Sequence, residues 1–170
     1  MVQDCYDRDY RASRELEGIE MDWVTEAAKE WKNQRIRQET IQRDAAALWN
    51  TICNTMEQAL KDYEALADRP RHAKVGGRSA HAFHIVVLEG KSPVGMQVAR
   101  LAIVLDLKQK IVEIRTMGVA ARKFPIGLDQ GGRACLTQES REFQLEEFTK
   151  LALYDLLFPR EEGAFLEGED

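Results

Sequence analysis

Apolar residues recur at steps of three or four through the first half of the chain: Ile41, Ala45, Leu48, Ile52, Met56, Ala59, Tyr63 and Leu66. That spacing lines eight side chains along one stripe of a helix. Upstream, Leu16, Ile19, Trp23, Ala27 and Trp31 repeat the pattern more loosely. Between the two portions, residues 32–40 hold Ile36 as their sole apolar side chain, so the stripe fails there while good helix formers continue. No glycine or proline interrupts the chain between Gly18 and Pro70. A helix over residues 19–69 would run about 75 Å, against a radius of gyration of roughly 15 Å for a compact globule of this size. The pattern therefore predicts one of two things: a helical hairpin bent near residues 32–40, or one long helix whose excess a second copy covers. The second is the preferred expectation. It puts Ile41, Ala45, Leu48, Ile52 and Met56 at a dimer or partner interface.

Beyond Pro70 the period changes from the helical one to that of a strand. Phe83 to Leu88 is apolar on both faces and reads as a well-covered strand. Residues 98–107 alternate, and residues 111–117 answer them as the second half of an antiparallel hairpin. The alternation proposes a register in which Leu105 faces Val112, Ile103 faces Ile114 and Leu101 faces Thr116, with Val104 opposite Glu113 and Ala102 opposite Arg115. Phe124, Ile126 and Leu128 form a further strand, which Pro125 marks as an edge or a strand start. Asp129-Gln130-Gly131-Gly132 is a turn, and Ala134 and Leu136 make a short return. A last helix is predicted from a cap at Thr137 or Ser140, with Leu145, Phe148, Leu151, Ala152, Leu156 and Leu157 as its apolar face and Pro159 as its stop.

The resulting fold class is α+β: a long N-terminal helix or helical hairpin, an antiparallel sheet of four to five strands, and a C-terminal helix packed on one sheet face. The expected organisation is a flexible N-terminus (1–12), a helical arm (13–69), a basic linker (70–80), the sheet with its helix (81–158) and an acidic tail (159–170).

Charge adds a second layer. The net charge is −5, yet residues 1–68 carry −6, residues 69–138 carry +8 and residues 139–170 carry −7. A basic middle between acidic ends either neutralises the chain's own helices or attracts a polyanion. The polyanion reading would use Lys32, Arg35, Arg37 and Arg43 on the helix and Arg71, Lys74 and Arg78 after it. Exposed aromatics for base stacking are scarce in the strands, which hold Phe83 and Phe124 alone.

Motifs for chemistry are weak. Cys5, Cys53 and Cys135 are odd in number and widely spaced, so neither a disulfide framework nor a zinc site is expected. His81 and His84 stand three apart at a strand start, an offset that sends them to opposite faces, and no metal site is expected. Gly76-Gly77-Arg78-Ser79 lacks the spacing of a phosphate loop. No catalytic residue and no cofactor is assigned. The acidic Asp4, Asp7 and Asp9 are unlike the start of a secretory leader, and no apolar run reaches the ~20 residues of a membrane span. A cytoplasmic protein without membrane association is expected. The function expected is a non-enzymatic interaction module, adaptor or chaperone-like, acting as a homodimer through the arm. Nucleic-acid association is the alternative, and an enzyme of unknown chemistry the third reading.

Overall fold

Residues 32–40 decide the shape of the first element. The computed structural model describes residues 3–159, with side chains described from residue 22 onward, and in it α1 runs without interruption over Gln3–Glu64. The hairpin alternative is thereby excluded. Loss of an apolar stripe removes a reason for burial but no backbone hydrogen bond, and Arg35 donates Nε–H to the Glu39 carboxylate at 2.9 Å one turn on. The helix also extends upstream of residue 13, where the helical arm was expected to begin. By contact density the chain divides into two units, Met1–Glu39 and Thr40–Asp170.

In the second unit, α1 is followed by seven strands and a helix: β1 (Arg71–Arg78), β2 (Ala82–Glu89), β3 (Gln97–Asp106), β4 (Ile111–Thr116), β5 (Arg122–Leu128), β6 (Ala134–Gln138), β7 (Arg141–Glu142) and α2 (Leu145–Leu157). The strands form one antiparallel meander in chain order. The β3–β4 register is the one the alternation proposed, Leu105 opposite Val112 and Ile103 opposite Ile114. Its turn is held by Asp106, whose carboxylate accepts the N–H groups of Lys108 and Gln109 at 2.9 and 3.0 Å.

Seven strands replace the expected four to five, and the additions have physical causes. β1 occupies the stretch read as a basic linker, where Ala73 alone is buried. As an edge strand it needs apolar side chains on little more than one position, and its ladder to β2 supplies the rest. Gly76 sits in a register shift between Val75 and Gly77. A Cβ there would lie 2.7 Å from Val86 Cγ2, so the two strands approach as closely as they do because the residue is glycine. β7 arises from a tight turn at Glu139 and Ser140, both at positive φ (49° and 67°), between the paired Gln138 and Arg141. Two successive positive-φ residues make a type I′ hairpin turn. Ser140 is thus spent in a turn, and α2 starts later, after Gln144, with no side-chain cap.

Pro125 is likewise not at an edge. β5 pairs with β4 through residues 122–125 and with β6 through residues 126–128. The missing N–H of Pro125 falls where the strand passes from one partner to the other.

One sheet face carries Phe83, Ile85, Val87, Leu101, Ile103, Leu105, Val112, Ile114, Phe124, Ile126 and Leu136, all buried. They form one core with Ile41, Ala45, Leu48, Trp49, Ile52, Cys53, Met56, Leu60 and Tyr63 of α1 and with Phe148, Ala152, Leu153, Leu156 and Leu157 of α2. Trp49 donates its indole N–H to Ser79 O at 3.0 Å. The edge of β1 is blunted by α1: Glu64 accepts the Ala73 N–H at 2.7 Å and meets His72 Nδ1 at 2.6 Å, and the Tyr63 hydroxyl accepts the Arg71 N–H at 3.2 Å. At the start of this edge the Arg71 and Ala73 backbone groups, which could otherwise pair with a foreign strand, are occupied within the chain. Among the described residues no helix is long and apolar enough to cross a membrane.

Candidate functional site

Burial along α1 changes abruptly at the unit boundary. Every residue from 22 to 39 is exposed, whereas Ile41, Ala45, Leu48, Ile52 and Met56 are at most 8% exposed. The five residues expected at a dimer interface are therefore core residues of the chain itself. The stripe's apolar cover is provided by the sheet and α2, with core residues from β2 to β6 and from α2 in the same cluster.

What the fold leaves exposed lies elsewhere. Trp23, Val24, Trp31 and Ile36 are 62%, 52%, 64% and 52% exposed. Trp23, Ala27 and Trp31 follow one another at four-residue steps and share a face. The Arg35 guanidinium lies 5.8 Å from the Trp31 ring centre, a cation–π contact that still leaves the indole in solvent.

A second apolar surface is concave. Helices α1 and α2 diverge to leave a groove of about 530 Å³ floored by Leu153 and Leu157 and walled by Tyr63, Leu66, Tyr154 and Phe158. The Phe158 ring meets Tyr63 edge-on at 5.5 Å and Tyr154 at 5.6 Å, which fixes the aromatic wall. Burial pushes the Tyr63 phenol above its ordinary pKa, the bond with the Arg71 backbone opposing this. The groove's polar rim is Asp62, bonded by Gln58 Nε2 at 2.8 Å, with Glu146 and Lys150. Leu66 ended the stripe assigned by periodicity, whereas Tyr154 and Phe158 were absent from the apolar face assigned to the last helix. The available signal was that α2 carries more apolar residues than one packed face can use.

A larger and more polar groove of about 740 Å³ includes Asp44, Thr51, Asp129, Arg133, Cys135 and Glu142. No histidine lines it. Arg133 donates its backbone N–H and its Nε–H to the Asp129 carboxylate at 2.9 and 3.1 Å, and the backbone bond is the main influence holding that carboxyl below its usual range. Cys53 is fully buried, and burial pushes its thiol up to about 11. His84 faces away from the core with Arg100 Nη2 3.4 Å from its Nδ1, while His81 is exposed. Among the described residues no group of three metal-ligating side chains is placed to hold an ion.

The proposed polyanion contacts are scattered and partly committed. Arg35 pairs with Glu39, Arg43 with Asp44, and Arg78 with Glu57 and Asn54. Arg71 donates to Leu156 O at 3.0 Å. Lys32, Arg37 and Lys74 are exposed and make no ion pair among the described residues. Two residues of the basic middle pair with carboxylates of the chain's own long helix, Arg78 with Glu57 and Arg69 with Glu64.

Comparison with protein-family models, with curated proteins and with solved structures finds no match to this chain.

Proposed function

We propose that this chain is a non-enzymatic protein-interaction module that associates with itself through residues 22–39 of α1, in the manner of an adaptor or chaperone-like dimer. One observation carries the reading: two tryptophans and a valine stand more than half exposed on a segment in which every residue is solvent-accessible. Tryptophan is the side chain most enriched where protein surfaces meet, because it buries a large area at small entropic cost. Scattered exposed apolar residues are ordinary, but two indoles eight residues apart on one helix face, with Ala27 between them, form a patch. The committed state of Arg35, Arg43, Arg71 and Arg78 supports a protein partner over a polyanion.

Replacing both indoles tests the proposal. Light scattering after gel filtration should give a dimer of the 19.4 kDa chain for the wild type and the monomer for Trp23→Glu with Trp31→Glu. The variant should still unfold cooperatively, since neither residue belongs to the core, with a melting temperature lowered only by the lost linkage to association. A variant that stays dimeric removes the segment from the interface.

A further inference from the structure

We infer that the open face of the sheet is a docking surface for acidic polypeptide, and that its occupant is the chain's own residues 160–170. The inference does not depend on the self-association proposed above.

Strand register defines the face. In β1 to β5 the residues that alternate with the core positions point away from α1 and α2. Lys74 stands two strands from Arg100, with Val86 between them. Arg115 lies one strand further and two residues along, and Lys123 one strand and two residues beyond Arg115. Neighbours on this diagonal are about 8–10 Å apart. All four are exposed, and Lys74, Arg100 and Lys123 make no ion pair among the described residues. The carboxylates on the same face are Glu113, paired with Arg115, and Asp106, occupied by the turn before β4. Four cations against two carboxylates leave +2. Beside the diagonal, Ala102 and Val104 are partly exposed. They form an aliphatic strip that suits apolar side chains and offers no ring on which a base could stack.

Charge, reach and side-chain content select the occupant. Residues 160–170 lie outside the described residues and hold Arg160 against Glu161, Glu162, Glu167, Glu169 and Asp170, a net of −4. Helix α2 repels such a segment, having Glu146, Glu147 and Asp155 against Lys150. The sheet face has the opposite sign. Reach follows from where α2 ends. The Tyr63 hydroxyl lies 3.2 Å from Leu157 O and accepts the Arg71 N–H at 3.2 Å, so the last turn of α2 sits beside the first residue of β1. Lys74 is three residues, about 10 Å, along that strand, and Arg115 is about 16 Å from Lys74 across the sheet. Extended chain covers about 17 Å in five residues. Glu162, five residues past Leu157, comes within reach of Lys74, and Glu167, five further, within reach of Arg115. Phe165 and Leu166 then fall over the aliphatic strip.

Competition in the full-length chain tests this arrangement. The probe is a fluorescein-labelled peptide with the sequence of residues 160–170, followed by anisotropy. Three chains are compared: the wild type, a tail variant (Glu162→Lys, Phe165→Ser, Glu167→Lys), and a face variant that adds Arg100→Glu and Lys123→Glu to those changes. The tail variant should bind the peptide at least ~10-fold more tightly than the wild type, whose own segment competes at a millimolar effective concentration. The face variant should lose this binding while still unfolding cooperatively in urea, and Lys123→Glu alone replaces its two face changes if it fails to fold. Equal binding to wild type and tail variant, or binding to neither, overturns the inference. Binding that survives reversal of the face charges overturns it as well. Single-stranded DNA of matched length that binds the tail variant more tightly than the peptide does would assign the face to a polyanion instead. Wild-type competition that fades on dilution would place the segment on a second copy, against occupancy by the same chain.

Discussion

Ile103 and Arg100 sit three residues apart on β3 and face opposite ways. Ile103 is fully buried between Phe83 and Ile114 in register, whereas Arg100 is exposed. Ile103→Asp places a carboxylate where no donor waits, and should cost about 3 kcal/mol or more, enough to unfold a marginal domain. Arg100→Asp should change urea stability by about 0.5 kcal/mol or less. Equal losses would refute the face assignment. Cys53 gives a pH test with a definite sign. Its thiol titrates near 11 in the fold against an ordinary value of 9.0, because burial disfavours the thiolate. Above pH 9 the unfolded chain releases this proton first, so stability should be intact below pH 9 and fall as pH rises towards 11. Urea titrations from pH 8 to 11 on wild type and Cys53→Ala should show the steeper decline in the wild type. Equal slopes would mean the thiol is accessible to water. At this scale much was readable: alternation told which side of β3 is buried, since strand geometry leaves no other choice.

At the scale of elements, readability depended on how each is stabilised. The β3–β4 hairpin could be registered residue by residue because one face is apolar throughout. Strand β1 could not be seen, because an edge strand is held by its ladder and by Tyr63 and Glu64 of α1 rather than by its own apolar residues. The β6–β7 turn was hidden for another reason. Glu139 and Ser140 adopt positive φ without being the asparagine or glycine that normally announces it. They carry backbone strain that glycine would relieve. Ser140→Gly should raise thermal stability, by about 0.5–1 kcal/mol, since φ of 67° costs glycine nothing. A calorimetric loss on this substitution would show that the serine side chain contributes more than its backbone costs.

Across the whole molecule, the sequence showed that the stripe from Ile41 to Tyr63 must be covered, but not by what. The cover turned out to lie within the chain: the strands β2 to β6 and helix α2 share one core with the stripe. The exposed apolar side chains of α1 lie instead within residues 22–39, and the self-association proposed above is placed there. Charge follows the same logic. Basic residues of the sheet and acidic residues of α1 meet at Arg78–Glu57 and at Arg69 and His72 with Glu64. Added salt should therefore alter stability while DNA and RNA fail to bind tightly at physiological ionic strength. A salt-resistant nucleic-acid complex weakened by Arg35→Glu with Arg37→Glu would reverse that ranking.

Self-association through residues 22–39 is the claim on which the functional reading depends, and dilution tests it directly. Sedimentation velocity of the unmodified chain, followed from high micromolar to nanomolar concentration, should show a dimer that gives way to the 19.4 kDa monomer on dilution. Tryptophan emission should shift to the red over the same range as Trp23 and Trp31 enter water. A strictly monomeric species at every concentration, with emission unchanged, would contradict the account.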